Sequence, residues 1–182
     1  DALTLSSVLT VNSGTFDANG FNVLCSTVAA SGTTTTRALT LGSGTWTLTS
    51  TAAGTIWNLG TTTNLTLSGA SATIILSGVS ANSRTFAGGG LTYGTLTYTV
   101  AGSTGVLVVT GANTFNTINF SDVTNARTLT LPAATTTTVT TFNVNGTTGK
   151  LMTVNSSSGG SAATLSKTSG TVSCDYLSLQ DS

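Results

Sequence analysis

The sequence predicts an all-β chain wound as a parallel β-solenoid of about seven coils of 22–27 residues, on three observations. The first is composition. Of 182 residues, 43 are Thr, 23 Ser, 21 Gly and 13 Asn, more than half of the chain. These four types are poor helix formers, and Glu, Lys and Gln are absent or scarce. Thr and Val suit a pleated sheet, where a branched β-carbon packs well. The second is apolar–polar alternation in stretches of three to five residues, the mark of a strand with one buried face. The third is degenerate recurrence of such stretches, the signature of a stacked-repeat architecture.

Taken in chain order, the elements are short. Ala-Leu-Thr-Leu opens at Ala2, and Ser-Gly-Thr-Phe ends at Phe16. Arg-Ala-Leu-Thr-Leu begins at Arg37, and Ser-Gly-Thr-Trp ends at Trp46. Asn-Leu-Thr-Leu-Ser-Gly follows at Asn64, then Gly-Leu-Thr-Tyr-Gly at Gly90 and Asn-Thr-Phe ending at Phe115. Arg-Thr-Leu-Thr-Leu at Arg127, Thr-Thr-Phe ending at Phe142 and Tyr-Leu-Ser-Leu at Tyr176 complete the series. Leu39, Leu65 and Leu91 are spaced 26 apart, as are Leu151 and Leu177, and Phe115 and Phe142 lie 27 apart. Arg37, Arg84 and Arg127 recur at steps of 47 and 43, about two coils each. The tracts 33–36, 135–138 and 156–161 read as turns or outer strands.

A coil of this length holds three strands of four or five residues, and stacking at about 4.8 Å gives a rod roughly 34 Å long. Leu, Val and Ile then form a buried ladder, with recurring aromatics stacked inside or bracing a corner. The alternative is an antiparallel β-sandwich, which also shows short, regularly spaced strands. Its hairpin signals are sparse: Asn-Gly occurs at Asn19 and Asn145, and Asp-Gly nowhere.

Composition also excludes function classes. Only 5% of residues are charged and the net charge is zero, which gives no footprint for nucleic acid or an anionic membrane. The longest aliphatic run, 106–109, is far short of a span of about 20 residues. There is no His and no Glu. Glycoside hydrolysis needs two carboxyl groups about 5–9.5 Å apart. Asp17, Asp122, Asp175 and Asp181 are separated by 105, 53 and 6 residues, so none pairs on adjacent coils. We expect no enzyme, and assign no catalytic, metal-binding or cofactor-binding residue. Cys25 and Cys174 stand 149 residues apart, about six coils, and are expected as unpaired thiols.

The run 13–21, the run 37–48, Thr-Phe-Ala-Gly-Gly-Gly-Leu-Thr-Tyr at 85–93 and the closing motif 171–182 carry a resemblance. They resemble repetitive β-solenoid segments of phage fibre or virion proteins and of bacterial surface proteins, in repeat style, over most of the chain. The resemblance implies a single repeat domain over 1–182, expected as a fragment of a longer chain on a virion, outside a cell or at its surface. It brings no functional residue with it. The expected role is a non-catalytic structural module of a viral fibre, spike or virion surface, or of an extracellular filament or adhesin. Uncapped coils expose strand edges, so a cover is expected: flanking sequence, a trimer, a head-to-tail filament, or other structural proteins of the same particle.

Two other readings attach to particular residues. A glycan-binding module would use Trp57 and Tyr98 as exposed sugar platforms and Arg84 in a row of arginines. The competing reading of the arginines is that each caps the turn that begins a strand. Trp46 and Tyr93 are expected inside, from their alternating contexts. An ice-binding face would need two ranks of outward threonines, and the apparent 26-residue register supplies one: Thr40, Thr66 and Thr92.

Overall fold

The computed structural model describes residues 1–122, 124–169, 172 and 174–181; Thr171, Ser173 and Ser182 of the closing motif lie outside them. The chain is a parallel β-solenoid, with no helix among the described residues. The first coil carries β1 (Leu3–Thr4), β2 (Leu9–Thr10) and β3 (Gly14–Asp17). The second carries β4 (Val23–Cys25), β5 (Val28–Ala29) and β6 (Arg37–Thr40), and the third β7 (Thr45–Leu48), β8 (Gly54–Asn58) and β9 (Leu65–Ser68). From the fourth coil on there are two strands each among the described residues. These are β10 (Thr73–Leu76) and β11 (Arg84–Ala87), then β12 (Thr92–Thr97) and β13 (Leu107–Thr110). Next come β14 (Thr114–Asn119) and β15 (Arg127–Leu131), β16 (Thr136–Asn143) and β17 (Met152–Ser156), and finally β18 (Thr164–Lys167) and β19 (Leu177–Gln180).

Like strands stack. Sheet I runs β1-β4-β7-β10-β12-β14-β16-β18, sheet II β2-β5-β8-β11-β13-β15-β17-β19, and sheet III only β3-β6-β9. Every registered pair between named strands is parallel, including Trp46 with Ile74 and Leu129 with Val154. The hairpins of a sandwich are therefore not how these strands meet. Eight strands per large sheet make seven steps, or about 34 Å at 4.8 Å each.

The register corrects the sequence spacing. Paired residues lie from 19 apart (Leu9 and Val28) to 30 apart (Gly54 and Arg84), because the turns vary in length while the strands stay paired. Leu39 pairs with Leu67, not Leu65, and Phe142 with Ile118, not Phe115. Leu177 pairs with Met152, while Leu151 is exposed.

The core is one cluster inside the coils, mostly aliphatic, with an aromatic chain running through it from the first coil to the sixth. Phe16, Trp46, Trp57, Phe86, Tyr93 and Phe115 form a continuous chain of rings with centroids 5.0–5.9 Å apart from each to the next. Such contacts add about 0.5–1.5 kcal/mol per pair beyond burial. The polar tips are met: Trp46 Nε1 donates to Leu41 O (3.1 Å) and the Tyr93 hydroxyl to Gly88 O (2.7 Å). Beyond β9 the third side closes to a turn. At Gly88 a β-carbon would stand 2.3 Å from Asn113 Oδ1, which instead accepts Gly90 N–H at 2.9 Å. Glycine there lets a side-chain amide take the place of a strand.

Candidate functional site

The residues expected at a glycan surface are inside. Trp57 is 0% exposed, Tyr98 1% and Arg84 0%. Trp57 turns inward because β8 has a register shift against β11, so Ile56 and Trp57 are both buried. Tyr98 continues the inward alternation of Leu96, and Arg84 that of Phe86. Their burial corrects the expectation that they form an outer contact surface. Trp46 and Tyr93 are buried as expected.

The three arginines each begin a strand and hold turn carbonyls from inside. Arg37, on sheet III, donates to the carbonyls of Gly32, Thr35, Thr61 and Thr63. Arg84 and Arg127 lie on sheet II, at the corner where the chain leaves sheet I. Arg84 Nη1 donates to Ser50 O at 2.9 Å. Arg127 donates to Tyr98 O (3.1 Å) and Val100 O (2.9 Å) and pairs with Asp122 through Nε (2.8 Å) and Nη2. Tyr98, on the coil between them, has both guanidinium carbons 4.5 Å from its ring centroid. This column of Arg84, Tyr98 and Arg127 rises through three coils, each cation attracted to the ring face. Burial by itself would raise the Asp122 carboxyl, but hydrogen bonds from Thr124 and the Arg127 guanidinium outweigh it and hold it below its ordinary value. The sequence signal for this column was the recurrence of Arg before Thr at Arg84 and Arg127; nothing local marked Tyr98 as their spacer.

The outer face of sheet I shows an order that the 26-residue spacing concealed. Thr45, Thr73, Thr95, Thr117 and Thr141 are successive register partners across five coils. A second rank two residues on reads Thr47, Ile75, Thr97, Asn119 and Asn143. Asn143 Nδ2 donates to Asn119 Oδ1 at 2.8 Å, stiffening the last two rungs. The ranks are spaced about 4.8 Å between coils and about 6.6 Å along each strand. On sheet III, Thr40 pairs with Ser68 and Thr66 with Ala38, so Thr40 and Thr66 do not share a rank.

The last coil leaves a recess of about 320 Å³ lined by Phe142, Val154, Leu165, Val172, Leu177 and Leu179. Leu179 is 61% exposed. At the opposite end Leu3, Leu5, Leu9 and Phe16 are partly buried against the core, with Val8 exposed beside them. Cys25 is buried in β4 and Cys174 is half-buried, and both thiols are free. Loss of hydration on burial pushes the Cys25 thiol up to about 11.

Against known proteins, no family model, no curated protein and no solved structure matches this chain.

Proposed function

We propose that the chain is a non-catalytic structural rod: a β-solenoid segment of a fibre, spike or filament on a virion or cell surface. The observation that carries this reading is the parallel ladder running from β1 and β2 to β18 and β19 and ending in strand edges over apolar side chains. Pairing between coils gives a stiff, elongated body without charge networks. Among the described residues the outermost strands, β1, β2, β18 and β19, have unpaired N–H and C=O groups on one side, a template for a further strand. Because all strands of a sheet run in one direction, the last coil of one copy continues the ladder with the first coil of the next. A second copy stacked head to tail is the proposed partner.

Sedimentation and negative-stain imaging over a concentration series test it. The wild-type protein forms rods that lengthen with concentration, and Leu179→Lys, a charge set in the terminal recess, leaves single rods. Single rods at every concentration overturn end-to-end stacking, and a trimer of fixed mass that ignores Leu179→Lys moves the contact to the sheet faces.

One observation favours a second reading, an ice-binding face: the two ranks on sheet I that contain Thr45, Thr73, Thr95, Thr117 and Thr141. Methyl and hydroxyl groups at a fixed two-dimensional spacing suit a periodic solid surface. Thermal hysteresis that disappears in Thr95→Lys supports it, and none in the wild type removes it. Glycan contact through Trp57, Tyr98 or Arg84 has no surface to act through.

A further inference from the structure

We propose that the outer face of sheet I binds a neutral sugar over its first three coils, with one pyranose ring seated in a recess across β1, β4 and β7. The recess has a volume of about 340 Å³ and is walled by Ala2, Thr4, Asn22, Leu24, Thr45 and Thr47. Thr4, Leu24 and Thr47 are successive register partners, and Ala2, Asn22 and Thr45 stand two residues before them. Its size lies at the lower end of small-molecule sites, about 300–1,000 Å³. No lining side chain is charged, so an ionic ligand finds no counter-charge there. No aromatic ring lines it, so a flat base has nothing to stack on. The groups on offer are hydroxyl, amide and methyl. A pyranose matches that set, with hydroxyls around its rim and C–H groups on its faces.

The amide is held ready for a ligand. Asn22 Oδ1 accepts Thr45 N–H at 2.8 Å, which anchors the side chain by its oxygen and leaves the two Nδ2 hydrogens to donate. Higher on the same face the amides are engaged by neighbours. Asn143 Nδ2 donates to Asn119 Oδ1 (2.8 Å), and Asn119 Nδ2 to Thr97 Oγ1 (3.4 Å). Leu24 supplies the apolar surface: it is 38% exposed, while Val23 and Cys25 on either side of it are inside. The ladder sets these groups about 4.8 Å apart between coils and about 6.6 Å apart along each strand. A wall built on paired strands is already ordered, so little conformational entropy is lost when a ligand settles on it.

The test is an NMR titration of the whole chain, following methyl and amide signals. The probes are methyl α-glucopyranoside, methyl α-galactopyranoside and N-acetylglucosamine, with erythritol, an acyclic polyol without a ring face, for comparison. At least one sugar gives saturable shifts centred on Leu24 and Asn22 with a Kd in the millimolar range, and erythritol gives none. Asn22→Ala and, separately, Leu24→Lys each weaken that binding by about tenfold or more. Thr85→Val, on sheet II, leaves it unchanged. Both lining residues are exposed, so the variants keep the fold, and Leu24→Lys, which breaks no hydrogen bond, keeps the test decisive where Asn22→Ala loosens β7. No saturable shift with any of the three sugars, equal shifts with erythritol, or binding that survives Leu24→Lys overturns the proposal.

Discussion

Asp122 and Arg127 show what a handful of charges can do in an almost uncharged chain. Both side chains are 1–2% exposed, so removing one partner leaves the other buried without compensation. Asp122→Asn is expected to cost about 3–5 kcal/mol in denaturant unfolding, more than Asp122→Asn combined with Arg127→Met. The same pair sets an acid limit. A carboxyl held below its ordinary 3.8 in the fold adds stability that is complete above that value and disappears as pH falls through the lower, folded value. Stability measured from pH 9 down to 5 should be flat with respect to this group and fall only below about 4. A midpoint of loss near pH 6 contradicts the assignment. Thiol chemistry separates the two cysteines, since the thiolate is the reactive form. At pH 8, Cys174 should react with a disulfide reagent in the native protein, and Cys25, pushed up to about 11 and fully buried, only after unfolding. Prompt modification of both contradicts the buried placement of β4.

Strands were the most legible level of the sequence. Arg-Ala-Leu-Thr-Leu and Arg-Thr-Leu-Thr-Leu both lie on strands whose alternate residues are buried, β6 and β15. Registration between strands was not legible, because turn lengths between successive coils differ and no fixed period survives them. That is why a spacing of 26 sets Leu39 against Leu65 where the sheet sets it against Leu67, and why no fixed spacing displays the threonine ranks of sheet I. Trp57 was misplaced for a local reason, the register shift that puts two consecutive residues inside. For Arg84 the alternation pointed inward and only its charge argued otherwise. Close approach between coils also makes a prediction at this scale. A β-carbon on Gly94 in β12 would stand 2.2 Å from the backbone oxygen of Ala72 on the coil before. Gly94→Ala is expected to push those coils apart and lower the melting temperature by several degrees, a loss that Gly159→Ala, with open space around it, should not share. Phe86→Ala, at the middle of the aromatic chain, should cost about 3–5 kcal/mol.

Across the whole molecule, each coil rests only on its neighbours, so stability is a sum of nearest-neighbour terms and the ends have one neighbour each. Amide exchange should follow that gradient, slowest in β10 to β15 and fastest in β1, β2, β18 and β19. Uniform protection throughout would mean that the stack opens as a single unit. The alternating stretches and their recurrence announced a solenoid, but the placement of polar groups inside it depended on register and stayed hidden. The uneven turns have an outcome of their own. Steps of 19 and 29 residues occur in succession on sheet II with every pair still parallel, so ten extra amino acids have been absorbed between β5 and β8 with no more than one register shift, against β11. A scaffold built this way accepts grafts: a foreign peptide spliced into an outer bend would be displayed on a shaft that does not need to be redesigned to carry it.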